Sequence, residues 1–170
     1  MKKTSLFFVL ISFCLMLNAK SFIKLHSGST DCLRENAKAV VEMDWSKATW
    51  EKYKPIKEYC KDEYEKRFEL SEIAFVRGFN KNSKGLLCVS GESAKYKIVI
   101  HMEDFFQKVG GGWGRLYIRL YGLIEVVDLN SGETVAIFYV DGLSGDADYV
   151  QNDRFAKSFE QLGKILAKMK

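Results

Sequence analysis

Apolar positions along this chain follow three patterns: one almost unbroken block near the start, two stretches at helical spacing, and several runs alternating with polar residues. Leu6 to Leu17 is that block, broken only by Ser12, with Lys2 and Lys3 before it and Asn18, Ala19 and Lys20 after it. A charged tip, a short apolar run and a small residue at the boundary form the pattern of a cleavable export signal, here predicted as residues 1–19 with the cut after Ala19. The run falls short of the roughly 20 apolar residues a membrane-spanning helix needs, and nothing later is long and apolar enough to serve. Cys14 raises lipid modification as an alternative, but bulky Phe13 stands where a lipoprotein signal carries a small residue.

Residues 20–35 are polar and include Ser27-Gly28-Ser29-Thr30, so they read as an irregular arm. Alternation over Val41, Met43 and Trp45 predicts a first strand at Ala39–Trp45, and Ser46–Tyr59, with the only proline, a loop. Tyr64, Phe68, Phe75 and Phe79, with Ile73 and Val76 beside them, recur at helical spacing and predict a helix over Asp62–Asn80. Strands follow at Leu86–Val89, Tyr96–Glu103, Leu116–Val127 and Glu133–Asp141, the last two joined by the hairpin signal Asp128-Leu129-Asn130-Ser131-Gly132. Phe155, Phe159, Leu162 and Leu166, spaced four, three and four apart, form the stripe of a closing helix capped by Asn152 or Asp153. The order β-α-β-β-β-β-α predicts one α+β domain over 36–170: a mainly antiparallel sheet of about five strands with two helices packed on one face.

Composition sharpens this in two ways. Loss of Lys2 and Lys3 with the signal takes two from 26 basic residues, leaving them nearly matched to the 22 acidic ones. The basic character therefore argues for neither nucleic acid nor anionic membrane as partner. Cleavage also leaves Cys32, Cys60 and Cys88, an odd number for an oxidising compartment. Cys60 and Cys88 flank a helix of about 19 residues, ~28 Å long, whereas bridged Cα atoms lie within ~7 Å. Cys32 with Cys60 is thus the expected pair.

Candidate chemistry is sparse. His101 and Glu103 share a strand face, but no second histidine stands nearby, and Asp146 occupies the position where Gly142-Leu143-Ser144 would need glycine for a nucleophile elbow. Asp141, Asp146, Asp148 and Asp153 are a weak calcium candidate without the order of an EF-hand loop. Gly110–Gly114 lacks the lysine and hydroxyl of a phosphate loop, so no cofactor is expected. Trp113 at its tip, followed by Arg115, Tyr117, Arg119 and Tyr121 on one strand face, is the candidate binding surface, since aromatics and arginine anchor interfaces. Trp45, Trp50 and Tyr53 could line a sugar site or pack over the core.

The tyrosine-led strand Tyr96–Ile100, the long strand ending Val126-Val127-Asp128, the Ser131-Gly132-Glu133 turn, and Asp141-Gly142 with Gly145 before the closing helix resemble a class of exported bacterial domains. These are the amino-terminal domain of TolB and the periplasmic domain of the curli secretion lipoprotein. The resemblance covers residues 39–168 and implies an α+β fold; it carries over no secretion-channel activity, because the chain lacks a lipobox and a channel-forming segment. The resulting expectation is a periplasmic or secreted non-enzymatic interaction domain. Its partner would be an envelope or extracellular protein, with glycan as an alternative, and the oligomeric state is open. A hydrolase built on His101 with acids of the 141–153 segment, or a small-ligand carrier, is the competing expectation.

Overall fold

A computed structural model describes residues 22–91, 93–110, 116–145 and 151–170, the side chains of 151–153 apart. The predicted signal, residues 1–19, lies outside the described residues. Eight strands form one sheet: β1 (Ile23–Gly28), β2 (Lys38–Asp44), β3 (Thr49–Trp50), β4 (Lys54–Pro55), β5 (Leu87–Cys88), β6 (Tyr96–Val109), β7 (Leu116–Asp128) and β8 (Thr134–Ser144). Helices α1 (Ile56–Cys60), α2 (Tyr64–Asn82) and α3 (Gln151–Leu166) complete the described elements, with short 3-10 turns at Thr30–Leu33 and Lys61–Glu63.

The expected five-stranded, mainly antiparallel sheet is corrected to a mixed sheet of eight strands, ordered β1-β8-β7-β6-β2-β5, with β3 and β4 beside β6. β2 runs parallel to both β5 and β6, and β3 parallel to β6. The cause is the placement of α2 between β2 and β6: a helical crossover returns the chain to the end it left, so the next strand enters in the same direction. The arm expected to be irregular supplies β1, antiparallel to β8 from Ile23 opposite Val140 to Gly28 opposite Ala136. Only Ile23 of this strand is buried, which is why it carries no alternation in the sequence.

Alternation along the long strands sets two faces. Ile98, Ile100, Met102, Ile118, Leu120, Ile124, Val126, Ala136, Phe138 and Val140 are buried on the helix side. Three bulges interrupt this parity, one of them at Val135, which is skipped between the Val126–Ala136 and Val127–Thr134 pairs. Met102 pairs with Gly122 and Asp104 with Tyr121, so Glu103 is an extra residue and Phe105, not Asp104, turns inward. In β8, Leu143 pairs with Leu120 and Asp141 with Tyr121, leaving Gly142 extra at φ 71°. An added Cβ there would be strained by that φ and would meet the Tyr121 hydroxyl at 3.1 Å.

The stripe Phe155, Phe159, Leu162 and Leu166 of α3 is fully buried, worth ~6–12 kcal/mol before entropy at ~1.5–3 kcal/mol per side chain. Ser158 between them pins the helix to the sheet: its hydroxyl donates to the Ile118 carbonyl at 2.8 Å and accepts from the Gly145 amide at 3.1 Å. Trp45, at the end of β2, joins the layers, with ring centroids 5.2 Å from Phe68, 4.8 Å from Phe105 and 5.6 Å from Phe159. On α2, Phe75 and Phe79 are buried as the spacing predicts, whereas Ile73 is 54% exposed.

The two long helices touch through glycine. A Cβ on Gly163 would sit 2.3 Å from the Phe75 carbonyl oxygen, and one on Gly78 would sit 2.1 Å from that of Glu160. Both obstacles are backbone, which a side-chain rotation cannot relieve. Gly163→Ala is therefore expected to lower unfolding stability by about 2 kcal/mol or more, because overpacking forces backbone shifts. Urea denaturation of the variant against the parent checks this, and an unchanged midpoint would refute the close approach.

Candidate functional site

The face of the sheet opposite the helices is covered by no described element. Its rows cross three long strands. Lys108 stands opposite Tyr117, Phe106 opposite Arg119, Asp104 opposite Tyr121, and His101 opposite Leu123; on the far side of β7, Asp141 faces Tyr121 and Tyr139 faces Leu123. The predicted stripe is thus in place for Tyr117, Arg119 and Tyr121, each half-buried. Trp113 and Arg115 lie outside the described residues.

Neighbouring strands widen the stripe. Phe106 is 42% exposed and Tyr139 46% exposed, the latter with the His26 ring 4.5 Å from its own. Sequence reasoning missed Phe106 because the predicted strand stopped at Glu103, where the bulge breaks the alternation, whereas the strand continues to Val109. Tyr139 lay within a predicted strand whose facing was not assigned; counting from the hairpin would have set Phe138 opposite Leu123, because the extra residue Val135 shifts the register by one.

His101 has a partner, but not one of the predicted acids. Parallel pairing of β2 with β6 sets Asp44 beside it, with Asp44 Oδ2 3.1 Å from His101 Nδ1. The Ser46 hydroxyl, the Ser46 amide and His101 together hold the Asp44 carboxyl down at about 2, against an ordinary value of 3.8. Asp44 is therefore an anion that orients the imidazole through Nδ1. Among the described residues no hydroxyl or thiol is hydrogen-bonded to Nε2; what the geometry shows is a histidine oriented by a carboxylate.

Asp141 sits across the sheet at the Tyr121 row. Asp146 and Asp148, and the Asp153 side chain, lie outside what is described. Among the described residues no group of three His, Cys, Asp or Glu side chains could hold a metal ion. Asp104 is buried instead among backbone and hydroxyl donors: Thr49 Oγ1 donates to its Oδ1 at 2.7 Å and the Lys52 amide at 2.9 Å.

The aromatic trio does not form a sugar platform. Trp45 and Trp50 are buried in the core, Trp50 stacked on Tyr59 at 3.7 Å, while Tyr53 is left 91% exposed. The expected Cys32–Cys60 bridge is not formed either; both residues and Cys88 are buried free thiols. Burial raises the Cys32 and Cys60 thiols, the latter against an opposing pull from Arg67, and pushes Cys88 up to about 12. Protonated, buried thiols are poor nucleophiles.

No family model matches the chain, and no curated protein matches it. Solved structures of similar shape include the PelC dodecamer from Paraburkholderia phytofirmans, with 12% identity, a TM-score of 0.47, and coverage of 85% of this chain and 97% of that one. A single-substitution variant of the same PelC gives 14% identity and a TM-score of 0.43, over 87% and 98% of the two chains. Protein XCC0632 from Xanthomonas campestris, of family model DUF330, gives 11% and 0.41, over 78% and 84%. None of these three is a TolB or curli lipoprotein domain, and at these values the likeness says nothing of what the chain does.

Because the Asp44 carboxyl titrates lower in the folded chain than its ordinary 3.8, its stabilising effect is full above that value and disappears as pH falls through about 2. Asp44→Asn is expected to cost about 1 kcal/mol near neutral pH, the scale of the hydrogen bonds lost at a half-exposed site. The gap between variant and parent, measured by urea unfolding, should narrow only below about pH 4; a gap that closes at higher pH would contradict this assignment.

Proposed function

We propose that this chain is an exported, non-enzymatic accessory domain of the bacterial cell envelope that binds another protein through the uncovered sheet face. One observation carries the reading: the long helices α2 and α3 pack on a single face of the sheet. The other face, with Tyr117, Arg119, Tyr121, Phe106 and Tyr139, is left without cover among the described residues. Tyrosine and arginine, half-buried and held on rigid strands, are the residue types that supply most of the binding energy at protein interfaces. Rigid strands also spare the ordering cost a loop would incur on binding.

Export rests on the amino-terminal pattern, and no described helix is long and apolar enough to cross a membrane. The non-enzymatic reading is supported by the absence, among the described residues, of a hydroxyl or thiol bonded to His101 Nε2 and by the burial of the three described thiols.

The test places a photocrosslinking residue at Tyr139 or Phe106 in cells, with Ile73 on the helix layer as the comparison site. One defined adduct from both sheet positions, none from Ile73, and loss of the adduct in an Arg119→Glu background is the expected result. An adduct from Ile73 with none from the sheet would reject the surface. An adduct at twice the chain's mass would replace the envelope partner with a second copy of this chain.

A further inference from the structure

At the end of the molecule where α2 and α3 both finish, an open cavity of about 530 Å³ lies between the 3-10 turn Thr30–Leu33, the residues after α2, and those after α3. Leu33, 2% exposed, forms its floor with half-buried Ala167 and Met169. Exposed Arg34, Lys84, Lys168 and Lys170 stand around it, and among the described residues no acidic side chain lines it. Arg34 donates to the Thr30 hydroxyl at 3.3 Å; among the described residues neither it nor the three lysines has an acidic partner.

The walls are tied by backbone. The Leu86 amide donates to the Leu33 carbonyl at 3.3 Å, and Gly85 packs so closely that a Cβ there would lie 2.2 Å from the Arg34 carbonyl oxygen. Beyond α3, the Ala167, Lys168 and Met169 amides donate back to Gly163, Ile165 and Leu166 at 3.0, 3.0 and 3.1 Å. Lysines at helix carboxyl ends complement the helix dipoles, which accounts for Lys84 and Lys168 taken singly. It does not account for a concave apolar floor beneath them, or for Arg34 arriving from a separate element.

From this juxtaposition we propose that the cavity binds a single-chain anionic amphiphile, with its hydrocarbon on Leu33, Ala167 and Met169 and its carboxylate or phosphate head among Arg34, Lys84 and Lys168. The volume falls in the range of small-molecule sites, and an apolar lining with a few convergent charges is their usual make-up. A bare anion would leave the floor unused, and a neutral lipid would leave the four cationic side chains of the lining without counter-charge. The site is remote from the uncovered sheet face, and the proposal does not depend on that face being an interface.

Calorimetric titration of the purified protein tests it, with dodecyl phosphate and laurate each kept below the concentration at which it forms micelles. Dodecylphosphocholine supplies the same tail under a neutralised head, and inorganic phosphate a head without a tail. The expected result is one site per chain for dodecyl phosphate, laurate or both, at least about tenfold tighter than either control. Which anionic probe binds identifies the head group. Lys84→Glu with Lys168→Glu, two exposed positions that leave the core intact, should weaken binding at least about tenfold. Met169→Glu should do the same through the floor.

Three results would overturn the proposal. One is dodecylphosphocholine binding as tightly as the anionic probes; another is inorganic phosphate doing so. The third is no binding of either anionic probe, or binding indifferent to the charge reversals, in protein with parental circular dichroism.

Discussion

The backbone contact between α2 and α3 at Gly78 and Gly163 constrains the rest of the molecule. Only glycine at both positions lets the helices lie side by side in one layer, and a single layer has room on just one face of the sheet. The helices also run in the same direction. Arg67 stands 5.5 Å over the Phe155 ring near their starts, and Asn82 and Ala167 line one cavity at their ends. Both carboxyl ends and their lysines therefore arrive together, and the opposite sheet face stays bare. The two surfaces to which binding is assigned are consequences of one packing arrangement.

What was legible in the sequence is what periodicity reports. Phe155, Phe159, Leu162 and Leu166 were readable because a helix repeats its face every three or four residues whatever lies beneath it. Ile118, Leu120, Ile124 and Val126 were readable because a strand repeats every two. Pairing direction was not, since a parallel and an antiparallel β2 bury the same side chains; only the crossover through α2 decides it. β3 and β4, two residues each, are too short to repeat anything. β1 has a single buried residue because it lies at the sheet edge, and its remaining five residues report solvent, not a strand.

The candidate site failed to show itself for a related reason. Tyr117, Arg119 and Tyr121 could be grouped because they sit on one strand, but a face is built across strands, and cross-strand partners depend on register. Glu103 and Gly142 each insert one residue, and each insertion exchanges the two faces for everything beyond it. Phe106 was hidden because the predicted strand stopped at Glu103, and Asp44 was not visible as the partner of His101 because 57 residues separate them in the chain. The bulges bracket the Tyr121 row from both sides. There Asp104 is fixed by Thr49 and Lys52, and the Tyr121 hydroxyl lies over Gly142. The two irregularities thus fit the strands around the centre of the bare face, in keeping with the tendency of bulges to re-aim side chains at binding sites.

The small formal net charge of the whole chain, +4, conceals its arrangement. Glu42, Asp44, Asp104, Glu125 and Asp141 fall on the outer sheet face together with Lys97, Lys108 and Arg119, whereas Arg34, Lys84, Lys168 and Lys170 gather at the far end of the helix layer without acids among the described lining residues. Screening confines exposed charges to about 8–10 Å at physiological ionic strength, so each surface acts by its local charge and not by the sum. A chain of small net charge can therefore present an anion-attracting cavity at one end. It can also present a tyrosine-rich plane of mixed charge on the opposite layer, each surface acting independently of the other.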